Sequence, residues 1–231
     1  FRNSLCMFAQ TQNELHNMKH MSILAVSLLA LVACTPEKKQ EADYSQYVNP
    51  MIGTDFTGNT YPGAQVPFGM VQLSPDNGLP GWDRISGYFY PDTTIAGFSH
   101  THLSGTGAGD LYDISFMPVT RPYKEAPAPL GIYSTFSHND EAASAGYYRV
   151  LLKDYNINVE LTATERCGIQ RYTFPEAEAS VFLNLKKAMN WDFTLDSKIE
   201  VVDSTTIRGY RLSQGWSPLQ HVYFETRFSK P

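Results

Sequence analysis

The chain has 231 residues, a formal net charge of −5, 18% charged residues and 13% aromatic residues. That length allows one large β domain or two small domains, and the many tyrosines suit a sandwich or barrel that meets polar, ring-shaped ligands. Basic residues cluster only at Lys38-Lys39 and Lys186-Lys187. The composition therefore argues against nucleic-acid binding.

The N-terminal region indicates targeting rather than a domain. A basic start at Lys19 and His20 precedes an apolar run that ends at Cys34. Residues 31–34 (LVAC) match the bacterial lipoprotein box, which predicts a lipidated Cys34; an ordinary secretory signal or a buried helix is the alternative. The predicted segments are an upstream, non-native stretch at 1–17, a lipoprotein signal peptide at 18–34 and a flexible polar tether at 35–45.

β-Strands are predicted along most of the remaining chain. In the second half, apolar and polar residues alternate, as at Val159, Leu161 and Ala163, which gives each strand one buried face. Turn signals recur roughly every ten residues, so we predict an all-β, antiparallel β-sandwich over residues 46–231. The predicted strands cover residues 47–54, 66–73, 87–90, 95–102, 113–119, 132–137, 147–152, 157–164, 167–174, 180–185, 199–202, 205–212 and 219–228.

Three long loops in the first half, at 55–63, 74–83 and 100–110, are expected to build a cleft. Function usually concentrates on long loops carried by a rigid scaffold. The second loop carries Trp82, whose ring either stacks on the apolar face of a sugar or folds back as a plug. Polar groups such as Asn59 and Asp83 suit sugar hydroxyls and are equally normal in turns.

Residues 97–110 (GFSHTHLSGTGAGD) begin as a predicted strand and end as a glycine loop. Period-2 alternation predicts that His100, His102 and Ser104 project to the same face. Gly105 and the glycines after it let the backbone approach a ligand closely. A row of imidazoles and a hydroxyl beside a flexible polar loop suits the lip of a binding cleft.

The same stretch allows other interpretations. His100 and His102 could ligate a metal with Asp110 or Asp113, as in a small metallohydrolase, or could simply hydrogen-bond across a sheet. A triad of Ser104, His100 and Asp110 is possible by composition but lacks a nucleophile elbow. Glycoside hydrolysis needs two placed carboxylates, and the sequence pattern marks no pair as catalytic.

Four motifs carry a resemblance to a known family. They are residues 47–54 (YVNPMIGT), 58–64 (GNTYPGA), 67–70 (PFGM) and 97–107 (GFSHTHLSGTG). With them, residues 44–231 resemble the start of glycoside hydrolase family 92, whose members are calcium-dependent, exo-acting and inverting α-mannosidases. The lipoprotein signal agrees with this resemblance, since many members are tethered enzymes of glycan-degrading bacteria.

The resemblance implies a two-domain enzyme. An N-terminal β-sandwich would pack on a C-terminal (α/α)6 barrel that carries the general acid, the base and most calcium ligands. The chain is then expected to be an N-terminal fragment that is inactive by itself and has no catalytic or metal-ligating residue. The implied partners are a mannose-containing glycan, the barrel domain and a membrane reached through the lipid anchor. The expected location is the bacterial cell envelope, as a lipoprotein that is periplasmic or anchored to the outer membrane. A stand-alone carbohydrate-binding lipoprotein is the alternative.

The resemblance also implies that the sandwich lends loops to the sugar pocket. Trp82 is the expected contact to the leaving-group sugar. The other expected substrate-binding residues are Asp83, Gly58, Asn59, His100, His102, Ser104 and Gly105.

Overall fold

The computed structural model describes residues 42–105, 107–186 and 190–231. Residues 44–231 belong to one folded unit. The predicted upstream segment, the signal peptide with Cys34 and residues 35–41 of the predicted tether lie outside the described residues. Within the described ranges, no helix has the length and apolar character needed to cross a membrane.

The described residues form fifteen β-strands, and their helical segments are three short 3-10 turns at Ser45–Tyr47, Trp82–Arg84 and His138–Asp140. In chain order the strands are β1 (Ser74–Asp76), β2 (Thr94–Ile95), β3 (Gly97–Ser99), β4 (Ser115–Thr120), β5 (Glu125–Ala126), β6 (Gly131–Ile132), β7 (Ser134–Thr135), β8 (Glu141–Ser144), β9 (Tyr147–Leu152), β10 (Ile157–Ala163), β11 (Gly168–Thr173), β12 (Ala179–Asn184), β13 (Phe193–Val201), β14 (Thr206–Gln214) and β15 (Gln220–Arg227).

Two four-stranded antiparallel sheets form the sandwich. Their strand orders are β1-β3-β4-β12 and β11-β10-β9-β8. A three-stranded antiparallel sheet has the order β13-β14-β15, and β2-β7 and β5-β6 are short two-stranded pairs. This architecture confirms the predicted all-β, antiparallel β-sandwich.

The main apolar core joins side chains from both four-stranded sheets. In β10, Ile157, Val159 and Leu161 are buried and alternate with more exposed residues, as the period-2 pattern requires. These side chains share one cluster with Phe98 of β3 and Val119 of β4. Burying each large apolar side chain contributes about 1.5–3 kcal/mol, so this cluster is the main source of the rigidity that carries the loops.

Strand predictions are most accurate where the alternation is clearest. β9 has the predicted bounds, β10 ends one residue before the predicted 157–164, and β11 is one residue shorter at each end than the predicted 167–174. β13 begins at Phe193 instead of residue 199. Its exposed residues outnumber its half-buried ones, so the hydrophobic pattern did not reveal the first part of the strand.

Three strands predicted in the first half are wrong: residues 47–54, 66–73 and 87–90 form turns, bends and irregular backbone, apart from a 3-10 turn that ends at Tyr47 and a single bridge at Leu73. Pro67 lacks a backbone N–H, and Phe68 has a left-handed φ of 60°, so the chain cannot run as a regular strand there. Ser74–Asp76, which was expected in a loop, forms β1 and pairs with β3.

Candidate functional site

The loop that carries Gly58 and Asn59 lies against the glycine-rich loop. The Gly105 N–H donates a hydrogen bond to the Asn59 carbonyl oxygen at 2.7 Å. A Cβ added at Gly58 would lie 2.3 Å from the Gly53 carbonyl oxygen, so the turn accepts only glycine at that position. Asn59 is buried, whereas Ser104, next to Gly105, is exposed. Two of the predicted cleft walls are therefore in contact.

His102 is buried among polar groups of the sandwich. Its Nδ1 donates to the Gln72 carbonyl oxygen at 2.7 Å, and its Nε2 lies 2.9 Å from Asp76 Oδ1 and 3.1 Å from Ser99 Oγ. A Cβ added at Gly87, whose φ is +89°, would lie within 2.9 Å of both the Asp76 carboxylate and the His102 ring. These contacts give His102 the role of an internal support for β1 and β3.

His100 contacts a different set of groups. Its Nδ1 donates to the Ile114 carbonyl oxygen at 2.7 Å, and its ring meets Phe116 edge-on at 5.7 Å. Burial lowers the pKa of the His100 imidazole, and the hydrogen bond to Ile114 opposes that effect. The prediction of one strand through His102 is wrong, because β3 ends at Ser99 and the alternation stops there.

The two chemical alternatives for this stretch find no support in the geometry. Among the described residues, no three or more His, Cys, Asp or Glu side chains are grouped so as to hold a metal ion. The triad interpretation requires His100 to face Ser104 and Asp110. Instead, His100 Nδ1 bonds a backbone carbonyl group, and the Asp110 carboxylate accepts from the Trp216 N–H at 2.5 Å and from Gln220 Nε2 at 3.2 Å.

Trp82 lies on the 3-10 turn Trp82–Arg84, and 51% of it is exposed. Its indole stacks on that of Trp191, which is 45% exposed, with ring centroids 6.2 Å apart and planes inclined by 28°. Trp82 is therefore neither a buried plug nor an isolated surface ring. Asp83 follows it at intermediate exposure, and Arg84 forms a two-point ion pair with Asp92 that holds the turn.

Asn190 connects the Trp82 turn to the segment that follows the glycine loop. Its Oδ1 accepts from the Gly81 N–H at 3.0 Å, and its Nδ2 donates to the Tyr112 hydroxyl at 3.3 Å. The Tyr112 hydroxyl in turn donates to the Ile85 carbonyl oxygen at 2.6 Å. A Cβ added at Gly109 would lie 2.6 Å from Asn190 Cβ, so glycine is required for this approach.

Arg211 is fully buried and is the centre of a polar cluster beneath these segments. Its Nη1 donates to Asp113 Oδ1 at 2.6 Å, and its Nη2 donates to Asp192 Oδ2 at 2.8 Å. Further hydrogen bonds from the guanidinium reach the Leu111 and Leu185 carbonyl oxygens. The arginine therefore joins β14 to the segments before β4 and before β13.

Asp192 lies in an environment that disfavours its charged form. Burial raises the pKa of Asp192 to about 6, the charges of Asp110 and Asp113 add to that rise, and Arg211 opposes it. Asp192 Oδ1 and Asp110 Oδ1 are buried without a hydrogen-bond partner among the described residues. A Cβ added at Gly215 would lie 2.3 Å from Asp110 Oδ1, so this carboxylate packs directly on the turn between β14 and β15.

A cavity of about 470 Å³ lies beside the end of the glycine loop. Its lining includes Leu103, Asp110 and the exposed indole of Trp216. Trp82 is not among the residues that line it. The Trp82 turn and the glycine-loop end are thus connected through Asn190 and Tyr112 and not through this cavity.

The family model for the glycosyl hydrolase family 92 N-terminal domain matches residues 47–231. The chain belongs to glycosyl hydrolase family 92. This confirms the resemblance carried by the four sequence motifs.

Solved members of family 92 share this fold. A family GH92 α-mannosidase from Bacteroides thetaiotaomicron, solved alone and in complex with mannoimidazole, is 44% identical with a TM-score of 0.76 over 80% of this chain. The GH92 glycosyl hydrolase ccman5 is 28% identical with a TM-score of 0.69 over 82% of this chain. An uncharacterized secreted glycosidase of Arthroderma benhamiae is 26% identical over 172 residues, which are 70% of this chain.

The chain spans only part of the length of these relatives. It covers 25% of the Bacteroides enzyme, 27% of ccman5 and 21% of the Arthroderma protein. The match to family 92 therefore concerns its N-terminal domain.

Sequence analysis missed Asn190, Trp191 and Arg211, the residues that connect the site. Residues 190–192 (NWD) place a tryptophan between two polar residues just before a strand, a pattern that could have pointed to an anchored aromatic ring. Arg211 carries no such signal, because it lies in an otherwise ordinary strand and its two acidic partners are 98 and 19 positions away.

The raised pKa of Asp192 gives a testable pH dependence. Its folded-state pKa of about 6 exceeds the ordinary value of 3.8 for an aspartate, so its contribution to the free energy of unfolding is fully present below pH 4 and is lost as the pH rises through 6. We expect the wild type to lose stability relative to Asp192→Asn between pH 4 and pH 7. Denaturant unfolding of both proteins across this range tests it, and a pH-independent difference would contradict the assignment.

Proposed function

We propose that the complete protein is a secreted, lipid-anchored α-mannosidase that removes terminal mannose from glycans with inversion, and that this domain shapes the mouth of its sugar pocket. Membership of family 92 and the 44% identity to a Bacteroides α-mannosidase support the proposal most strongly. The proposed contribution of this domain is the set of contacting loops around Gly58, Asn59 and Gly105 together with the half-exposed Trp82.

The carboxylates of the site already have structural partners. Inversion needs one carboxylic acid to protonate the leaving group and one carboxylate to activate a water molecule. Asp76 bonds His102 and Ser99, and Asp110 bonds the turn before β15. Because Asp113 and Asp192 pair with Arg211, we assign the catalytic acid and base to a barrel domain outside this chain.

Calcium dependence belongs to the same proposal. Calcium prefers six to eight oxygen ligands from carboxylates, carbonyl groups and water. Near the cavity, Asp113 pairs with Arg211 and Asp110 accepts from the Trp216 N–H, and no three or more His, Cys, Asp or Glu side chains of the described residues are grouped so as to hold a metal ion. These residues do not fit a calcium site, and we assign the calcium ligands to the proposed barrel domain as well.

The reaction is tested by assaying the complete protein on an aryl α-mannoside and on linkage-defined mannobioses. We expect hydrolysis with inversion, loss of activity in EDTA and its return with Ca²⁺, and no hydrolysis by residues 42–231 alone. Binding of mannobiose without hydrolysis by the complete protein would instead support a carbohydrate-binding lipoprotein. Turnover by the isolated fragment would refute the assignment of the acid and base to another domain.

Trp82 is the proposed contact for the leaving-group sugar, because its indole is half-exposed on a turn held by Asn190 and Arg84. Trp82→Ala in the complete enzyme is expected to lower kcat/KM on mannobiose about 10-fold, the loss typical of an aromatic anchor. An aryl mannoside with a good leaving group should lose much less. Equal losses on the two substrates would exclude a leaving-group contact.

The lipid anchor is proposed from the LVAC motif that ends at Cys34. In a bacterial host fed radiolabelled palmitate, the wild type is expected to carry the label and to fractionate with the cell envelope. The Cys34→Ser variant should carry no label. Labelling of the serine variant, or release of the wild type as an unlabelled soluble protein, would contradict the proposal.

A further inference from the structure

Trp82 and Trp191 form a stacked pair whose two members come from distant parts of the chain. Their ring centroids are 6.2 Å apart, and about half of each residue is exposed. Tryptophan is highly buried on average, so two adjacent half-exposed indoles need a reason that core packing does not provide. The stacked faces also mean that the position of each ring depends on the other.

Both neighbours of Trp191 in sequence are held by polar contacts. On one side, Asn190 bonds the Gly81 N–H and the Tyr112 hydroxyl. On the other side, Asp192 is buried and paired with Arg211. The backbone of Trp191 is therefore fixed at both ends while its ring reaches the surface. The exposed ring therefore lies between two polar residues, the half-buried Asn190 and the buried Asp192, whose contacts fix its position before a ligand binds.

The Trp82 turn is held by polar contacts at its two ends. Gly81, which precedes it, has a φ of +145°, a conformation that favours glycine, and its N–H bonds the Asn190 side chain. The Arg84–Asp92 ion pair holds the other end of the turn. The ring between these two points is supported by the face of Trp191.

We propose that Trp191 is a positioning residue that orients the indole of Trp82 for the pyranose ring on the leaving-group side of the scissile bond. The inference rests on the proposed function, since it concerns how that sugar is recognised. Asn190 sets the distance between the two segments, and the stacking sets the tilt of the Trp82 ring. Trp191 acts through Trp82 and not by a sugar contact of its own.

The test is a double-mutant cycle in the complete protein with Trp82→Ala, Trp191→Ala and the combined variant. On mannobiose, we expect Trp191→Ala to lower kcat/KM by about 3- to 10-fold, the range for losing an aromatic pair. The double variant should be no worse than Trp82→Ala, because a ring that acts through Trp82 has no effect once Trp82 is absent. Turnover of the aryl mannoside should change less than 2-fold. The proposal would be overturned if the double variant lost kcat/KM by the product of the two single losses. An unchanged mannobiose rate in Trp191→Ala, or equal losses on both substrates, would also overturn it.

Two controls separate positioning from general damage. Trp191→Phe keeps a flat ring and should restore most of the mannobiose rate. Tyr123→Ala removes a 38% exposed ring that meets Phe182 edge-on at 5.1 Å, and it should leave both substrates unaffected. A loss of mannobiose turnover in the tyrosine variant equal to that in Trp191→Ala would show a general effect of removing surface rings and would overturn the assignment.

Circular dichroism of the complete protein reports the stacking of the two indoles independently of activity. It therefore separates a failure of the Trp191 role from a failure of the proposed function. Stacked indoles give an exciton couplet in the far ultraviolet, which should disappear in Trp82→Ala and in Trp191→Ala alike. A complete protein with the couplet but without α-mannosidase activity would refute the proposed function and the sugar-positioning role together, yet leave the ring pair intact. An active protein without the couplet would overturn the positioning role alone.

Discussion

The buried guanidinium of Arg211 is the constraint on which the arrangement of the site depends. Taking an arginine out of water costs several kcal/mol, and the cost is offset only when its donors are matched by well-placed acceptors. Here the acceptors are Asp113 and the Leu111 carbonyl group, from the segment before β4, and Asp192 and the Leu185 carbonyl group, from the segment before β13. Those segments must therefore converge on β14. Leaving either carboxylate unpaired in this interior would cost about 3–5 kcal/mol, which makes the convergence hard to relax.

The position of the exposed aromatic residues follows from this buried cluster. The ion pair between Asp192 and Arg211 fixes the backbone next to Trp191, whose ring lies at the surface. On the other side of Trp191, the Asn190 side chain bonds the turn that carries Trp82. A second buried pair, His102 with Asp76, holds β1 against β3 at the base of the same region. His100 and His102 therefore support the scaffold. The aromatic residues and the glycine turns form the accessible part of the site.

Local sequence patterns predicted the second half of the fold well, because the strands there alternate between buried and wetted faces. The loops that carry Asn59 and Gly105 were expected to border one cleft, and the structure shows them joined by a hydrogen bond. The expected row of His100, His102 and Ser104 was wrong, because a strand pattern cannot show that the strand ends at Ser99. The connection of Gly81 to Asn190, 109 positions along the chain, depends on tertiary packing that no local pattern encodes.

We propose that the Trp82 indole, held by Trp191, meets the second sugar of the substrate. A crystal structure of the complete protein with a non-hydrolysable thio-linked α-mannobiose tests it most directly. The account predicts that the leaving-group pyranose lies against the Trp82 ring while the two indoles remain stacked with centroids near 6.2 Å. A bound disaccharide that touches neither ring, or one that contacts Trp191 with the pair separated, would contradict it.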